Sequence, residues 1–197
     1  MILRLIRGQG GWTEVQALRA ALWASLGPES GEVAGPVRFH LATRPSGAGV
    51  EVLVTSFWAT PEAAAAADRR AISPLSLARQ HLADPAAQVF EVGDMTLRGS
   101  DDEPELIRVA TGRFSKPGSD IEMLDLLRQR VPLIGDEMSE AFVGRRIVDR
   151  AVEVTFVSAW RAAPAEGSLE ESFWPDIALR YDQFDVALYR TVPITGG

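Results

Sequence analysis

The chain has 197 residues, of which 46% are hydrophobic and 24% are charged, values that are typical of a globular protein with its own core. It contains no cysteine, which excludes disulfides, thiolate metal sites and thiol nucleophiles. Its net charge of −7, with only a single lysine, argues against a surface that holds nucleic-acid phosphates.

The first half of the chain alternates between strand-like and helix-like segments. Four segments have the apolar and β-branched pattern of strands, at residues 2–9, 37–44, 50–58 and 88–92. Thr13 and Gln16 form a capping box that predicts the start of a helix, and a second helix is predicted after Thr60, with Pro61 in its first turn. Pro74 lies within the second helical stretch and is expected to kink or split it.

The second half of the chain shows the same alternation. Four segments have the strand pattern, at residues 106–113, 142–149, 152–160 and 185–192. Ser119 with Glu122 and Ser168 with Glu171 form capping boxes, which predict one helix after the first strand and another after the third. A tight turn is predicted at 149–150, between the second and third strands.

The two halves resemble each other in sequence. Residues 50–58 read VEVLVTSFW, and residues 152–160 read VEVTFVSAW. Two further matches follow in the same order, ILRLIRGQ with LIRVATGR and PLSLAR with PDIALR. Three ordered matches indicate an internal duplication. We therefore predict one domain at 1–95 and a second at 105–197, joined by a polar, acidic linker at 96–104.

Each half has the strand and helix order βαββαβ, which is that of a ferredoxin-like unit. The helices of such a unit cover one face of the sheet only. On the third strand of the first half, Val54 and Trp58 point to one face and Leu53 to the other, so both faces carry apolar groups. We therefore predict an α+β fold in which two tandem ferredoxin-like units pack sheet against sheet within one chain.

A βαββαβ unit whose third strand ends in tryptophan, here Trp58 and Trp160, and is followed by a capped helix resembles the antibiotic-biosynthesis-monooxygenase-type domains of the dimeric α+β barrel superfamily. The resemblance covers nearly the whole chain, twice. It implies that two units, usually supplied by a homodimer, form the barrel, and that one chain supplies both here. It also implies cofactor-free oxygenase activity on aromatic or quinol substrates, or haem degradation, in a pocket between sheet and helices. Several active members use an asparagine beside the tryptophan, and this chain contains no asparagine.

The two histidines are candidate functional residues with simpler structural interpretations. His40 lies on a predicted strand and suits a general base or an axial haem ligand, but we favour a half-buried strand histidine with a backbone partner. His81 ends the second helix of the first half, where the helix dipole favours a positive charge. The second half contains no histidine, so a site that uses one exists in the first half only.

The tryptophans are the other candidates. Trp58 and Trp160 hold equivalent places in the two halves, which favours core packing over a ligand-facing wall, and Trp23 could reach the same pocket from the first helix. Ser56 and Ser158 also recur and are interpreted as strand serines bonded to the backbone, because no nucleophile motif surrounds them. The candidate ligand-binding residues are therefore His40, Trp58, Trp23 and Trp160.

Two charged residues of each half suggest a repeated ion pair. Because the first and third strands of a ferredoxin-like unit are neighbours, we predict the pairs Arg4–Glu51 and Arg108–Glu153. The acidic run at 101–103 is interpreted as solvated linker, and no metal site is expected.

The first functional hypothesis is a bacterial, cofactor-independent, monooxygenase-like protein that binds a small apolar or aromatic ligand. The alternative is a non-catalytic ligand-binding or interaction module that kept the scaffold, and haem binding is a weaker alternative. We expect no cofactor, no nucleic-acid partner and no membrane span, because no apolar run approaches about 18 residues. The first residues do not resemble a signal peptide, so we expect a cytoplasmic protein, and further homo-oligomerisation is left open.

Overall fold

A computed structural model describes residues 1–26, 35–47, 49–92, 96–98, 103–116, 118–131, 137–162 and 181–194. These residues belong to two units. Unit 1 consists of Met1–Phe90 with Tyr189–Gly197, and unit 2 consists of Glu91–Leu188. This division places the end of the chain in unit 1, whereas the sequence had assigned residues 105–197 to a single second domain.

Unit 1 has the ferredoxin-like order of elements. These are β1 (Ile2–Gly10), α1 (Trp12–Leu26), β2 (Arg38–Ser46), β3 (Gly49–Trp58), α2 (Pro61–Arg69), α3 (Pro74–His81) and β4 (Ala83–Glu91). The strands lie in the order β4-β1-β3-β2, and β3 pairs antiparallel with both β1 and β2. The first and third strands are therefore neighbours, as predicted.

The helix starts of unit 1 confirm two predictions and correct one. Thr60 caps α2 by accepting a hydrogen bond from the backbone N–H of Ala63 at 3.2 Å. Pro74 splits the second helical stretch, because α3 begins there as a separate helix with Ser73 as its N-cap. The predicted capping box of α1 is wrong, because the helix begins earlier and Glu14 accepts from the backbone N–H of Gly11 at 3.0 Å.

Unit 2 has five strands and one helix in its described residues. These are β5 (Thr96–Arg98), β6 (Leu106–Phe114), α4 (Ser119–Arg130), β7 (Met138–Val148), β8 (Ala151–Trp160) and β9 (Gln183–Thr191), of which the last three residues belong to unit 1. Their order in the sheet is β9-β6-β8-β7-β5, and β8 pairs antiparallel with β6 and β7. The predicted helix that starts at the box of Ser168 and Glu171 lies outside the described residues.

Local chemistry explains where several elements of unit 2 begin and end. The predicted turn at 149–150 is confirmed, and both Asp149 and Arg150 have the positive φ that a tight hairpin turn requires. The N-cap of α4 is Gly118, which has no side chain to form the predicted box. Part of the predicted linker, Thr96–Arg98, is not linker but a short strand paired with β7.

The C-terminal residues complete unit 1. Thr191 pairs with Ala42 at the edge of β2, and the backbone N–H of Val192 donates to the carbonyl of Leu41 at 2.8 Å. The Arg19 guanidinium on α1 donates to the carbonyl of Pro193 at 2.6 Å. These backbone contacts use polar groups that any residue has, so the sequence carries no signal for them.

Each unit buries an apolar cluster between its sheet and its helices. In unit 1 the side of the sheet that carries Ile6 and Val54 packs against α1 and α3, and in unit 2 the side that carries Phe156 packs against α4. We call these sides the helix faces. Leu5 and Leu53, on the other face of unit 1, are also buried. The α+β class with ferredoxin-like units is confirmed, and the packing of sheet against sheet stays a prediction.

The register of the strands contradicts both predicted ion pairs. Arg4 lies opposite Ser56, whereas Glu51 lies opposite Gln9, five positions further along β1. Glu51 instead pairs with Arg44 at 2.7 Å, and Arg4 pairs with Asp68 at 2.8 Å.

Unit 2 repeats this result. Arg108 lies opposite Ser158, and Glu153 pairs with Arg113 at 3.2 Å and with Arg146 at 2.6 Å. The prediction was wrong in both units because antiparallel strands place their first residues at opposite ends of the ladder.

Candidate ligand site on the helix side of unit 1

A buried arginine lies on the helix face of unit 1. Arg4 is in the middle of β1, only 8% exposed, and both of its terminal nitrogens donate to the carboxylate of Asp68, each at 2.8 Å. Asp68 is in the last turn of α2, so this bidentate pair ties the helix to the sheet. The pair neutralises the charge of the buried arginine, while the Asp68 side chain itself is 33% exposed.

Trp58 and Ser56 complete this arrangement from the neighbouring strand. The Trp58 indole is fully buried, and its Nε1–H donates to the Ser56 Oγ at 3.1 Å. The Arg4 guanidinium carbon lies 5.9 Å from the centre of the Trp58 ring, within the range of a cation–π contact. Ser56 is therefore bonded to the indole and not, as predicted, to the backbone.

The Arg4 site lies between two apolar clusters. Ile2, two residues before Arg4, packs with Trp58 against α2, whereas Ile6, two residues after it, belongs to the larger cluster against α1 and α3. The Nε–H of Arg4 is buried at this break and has no hydrogen-bond acceptor among the described residues. Buried donors nearly always have an acceptor, so this N–H marks a place where a ligand atom could bind.

The electrostatics keep Asp68 ionised. Burial raises its pKa, but hydrogen bonds from Arg4 and Ser73 and the charge of Arg4 outweigh burial and lower the pKa below its ordinary value. Asp68 is thus a poor proton acceptor at neutral pH. Its role in the site is to orient the guanidinium.

Unit 2 repeats part of this arrangement. Trp160 is buried and donates to the Ser158 Oγ at 3.0 Å, and Arg108, buried on the same face, lies opposite Ser158. The repeated combination of arginine, serine and tryptophan shows that these three residue types serve the architecture of each unit. The feature described only for unit 1 is the unpaired Nε–H.

The structure does not bring the predicted site residues together. His40 is half-buried and lies opposite Thr55, so it is on the face of the sheet away from Trp58. Trp23 is partly buried against the larger apolar cluster of unit 1, to which Trp58 does not belong. His81 is in the last turn of α3, as predicted.

Two residues of the candidate site were missed or misassigned from the sequence. Asp68 was not singled out, and Arg4 was assigned to the wrong carboxylate. An available signal was that Arg4 interrupts the apolar alternation of ILRLI on the face of Ile2 and Ile6, which requires a buried partner. Which carboxylate supplies that partner depends on how α2 packs on the sheet.

A second polar cluster of unit 1 lies on the opposite face and is satisfied internally. Glu51 accepts from the Tyr189 hydroxyl at 2.5 Å and from Arg44 at 2.7 Å, and Arg7 donates to Gln88 at 2.7 Å.

The hydrogen bonds of this cluster explain two pKa shifts. Burial raises the pKa of Glu51, but the bonds from Tyr189 and Arg44 and the nearby arginine charges outweigh it and lower that pKa. Burial and the bond to Glu51 raise the pKa of Tyr189. Because these groups satisfy one another, we interpret the cluster as structural.

The described residues contain neither a metal-binding cluster nor a helix that could span a membrane. No group of three or more histidine, aspartate or glutamate side chains is placed to hold a metal ion within the described ranges. Over the same residues, no helix combines the length and apolar character that a membrane span requires.

Similar solved structures support the fold. A candidate monooxygenase from Fusobacterium nucleatum superposes with a TM-score of 0.71 at 12% identity, over 98% of this chain and 92% of that one. A candidate monooxygenase from Lactobacillus acidophilus superposes with a TM-score of 0.60 at 10% identity, over 98% of this chain and 94% of that one. An anthrone oxidase-like protein superposes with a TM-score of 0.59 at 12% identity, over 98% of this chain and 91% of that one. No protein-family model and no curated protein sequence matches the chain. Because the sequence identities are this low, the superpositions show that the chain shares a fold with these monooxygenase-like proteins and nothing more specific.

Proposed function

We propose that the chain is a cofactor-independent, monooxygenase-like protein that binds a small aromatic ligand on the helix side of unit 1. The Nε–H of Arg4 would hold an oxygen atom of that ligand. The observation that carries the proposal is this buried donor without an acceptor among the described residues. The likeness of the whole chain to monooxygenase-like folds supports the reaction class.

The charges of the site favour a neutral ligand with an acceptor oxygen. Arg4 and Asp68 cancel each other, so a neutral aromatic ketone can bind the remaining N–H without an unpaired charge entering the interior. The flanking clusters contain Ile2 and Trp58 on one side and Ile6 on the other, and these side chains suit the apolar rings of such a ligand.

The same donor suits the chemistry of an oxygenase. When a carbon conjugated to a ketone loses a proton, negative charge develops on the ketone oxygen, and a preorganised N–H donor stabilises that charge. Oxidation of such a CH₂ group to a carbonyl consumes one O₂. One oxygen atom is incorporated, the other leaves as water, and the carbon supplies all four electrons. The substrate is therefore the only reductant the reaction needs.

Oxygen uptake with anthrone as the test substrate examines this proposal, because anthrone combines a ketone with an activated CH₂ group. We expect uptake above the protein-free rate, with anthraquinone formed in equal amount. The double variant Arg4→Gln/Asp68→Asn removes both charges together, so neither is left buried and unpaired. It should lower the rate at least about tenfold, since single oxyanion donors commonly contribute more than that.

The matched control is Arg44→Gln/Glu51→Gln, which removes an ion pair of similar length from the opposite face. It should leave the rate unchanged. Anthrone binding that depends on Arg4 without oxygen uptake would favour the alternative, a non-catalytic ligand-binding module. Uptake that is indifferent to Arg4, or no binding at all, would overturn the proposed site.

A further inference from the structure

We propose that unit 2 contains a second ligand site, in which the Tyr181 hydroxyl is the hydrogen-bonding anchor for a neutral aromatic molecule with an acceptor oxygen. Tyr181 is 9% exposed and belongs to the apolar cluster between the sheet and α4. Its hydroxyl is buried, and the described residues offer it no hydrogen-bond partner. The inference does not depend on the Arg4 site, because every residue it uses belongs to unit 2.

The Tyr181 ring is held in place by a specific local arrangement. It lies directly on the backbone of Gly112 in β6, so close that a Cβ at that position would be 1.7 Å from the Tyr181 Cδ1 and overlap the ring. Phe114 and Phe184 flank it, with ring centres at 4.4 Å and 4.9 Å. A ring fixed by three neighbours cannot turn its hydroxyl towards solvent, so the orientation of the donor is set before any ligand binds.

The surroundings define the ligand class. The apolar cluster to which Tyr181 belongs consists of aliphatic, aromatic and methionine side chains, including Met123 and Phe156, which suit contact with a flat apolar molecule. Burial raises the pKa of Tyr181, so its hydroxyl stays protonated and acts as a donor at neutral pH. An apolar interior disfavours an ionic ligand. A neutral quinone or aromatic ketone fits all three conditions.

Fluorine NMR tests this site directly, because the chain has only two tyrosines. Protein labelled with 3-fluorotyrosine should give two signals, which Tyr189→Phe assigns. Adding 1,4-naphthoquinone should shift the Tyr181 signal and leave the Tyr189 signal in place. Naphthalene, which has the same rings without the acceptor oxygens, should bind about tenfold more weakly, as expected for one lost hydrogen bond. The protein has no cysteine for the quinone to modify.

The variant Tyr181→Phe gives a second readout that a purely structural tyrosine would not produce. It removes a buried hydroxyl without a described partner, so the urea midpoint should rise while the affinity for naphthoquinone falls about tenfold. The variant Arg4→Gln/Asp68→Asn should leave the Tyr181 shift unchanged, which separates this site from the one in unit 1. A Tyr181 signal that does not move at saturating naphthoquinone, or a lower urea midpoint for Tyr181→Phe, would overturn the proposal.

Discussion

The helix faces of the two units share an arrangement of arginine, serine and tryptophan, and they differ in the side chain that covers one glycine. In both, a strand arginine lies opposite a serine that accepts from the tryptophan ending the third strand. In both, a glycine four residues after that arginine is covered by a side chain. In unit 1, Leu82 covers Gly8, and in unit 2, Tyr181 covers Gly112.

This comparison separates architecture from candidate chemistry. Residues present in both units, such as Trp58 and Trp160, are explained by packing, because each unit needs them to join its sheet to its helices. Groups that differ between the units are better candidates for function. On the helix faces, the unsatisfied buried polar group described is the Arg4 Nε–H in unit 1 and the Tyr181 hydroxyl in unit 2, and a third such group, the Thr55 hydroxyl, lies on the other face of unit 1.

The largest expected effect comes from the covered glycines. Gly112→Ala should lower the free energy of unfolding by at least about 3 kcal/mol, because the new methyl group would overlap a ring that its neighbours hold in place. Gly8→Ala should cost less, about 1–2 kcal/mol, because its Cβ would be crowded by the Leu82 Cβ and Cδ1 at 3.0 Å without overlapping them.

Urea unfolding measures both variants. Gly112→Ala/Tyr181→Leu, which gives unit 2 an aliphatic cover like that of unit 1, should recover most of the loss. Equal losses for Gly8→Ala and Gly112→Ala would contradict the difference between the two units.

The shared tryptophans should give equal and intermediate effects. Trp58→Phe and Trp160→Phe each remove a buried N–H that donates to a serine, and each should lower stability by about 2 kcal/mol. Trp12→Phe is the control, because Trp12 is 58% exposed and should change stability little. If urea unfolding gave stability losses for Trp58→Phe and Trp160→Phe that differ by more than about 1 kcal/mol, the two tryptophans would not be structurally equivalent.

The smallest expected effect is a pH dependence of unit 1. The folded pKa of Asp68 lies below its ordinary value of 3.8, so its contribution to stability is present above that pH and is lost as the pH falls through the folded pKa. Asp68→Asn should therefore be less stable than the wild type by about 1 kcal/mol at pH 7, because the partly exposed pair is screened. The difference should shrink below pH 4, roughly where the carboxylate protonates.

Urea midpoints measured from pH 7 to about pH 3 check this prediction. Glu51→Gln, on the opposite face, should also lose stability relative to the wild type at pH 7, and this difference should also shrink as the pH falls, because the pKa of Glu51 is lowered too. A gap between Asp68→Asn and the wild type that stays constant over this range would show that the pair with Arg4 is not ionic.

Local patterns predicted the elements well. The first strand was predicted at 2–9 and is Ile2–Gly10, and the strand predicted at 152–160 is Ala151–Trp160. Alternation of side chains and the φ preferences of turn residues depend only on neighbours in the chain, so both can be read from the sequence without knowledge of the fold. The strand β5 was missed because three residues are too few to show a pattern.

Interactions between elements were predicted poorly. Arg4 and Glu51 were placed on neighbouring strands, which is correct, but the antiparallel direction separates them by five positions of the ladder. His40 and Trp58 were expected in one pocket, yet the register puts them on opposite faces of the sheet. Both errors arise because a shift of register or of direction changes every partner on a strand while leaving its own pattern intact.

The sequence by itself determined the α+β class, the strand and helix order of unit 1, and the equivalence of Trp58 and Trp160, because periodicity and internal similarity are properties of the chain alone. Only the tertiary structure decided which carboxylate holds Arg4, which ring covers Gly112 and which unit contains the end of the chain. Those contacts join residues far apart in sequence, and their geometry is set by strand register and helix packing together.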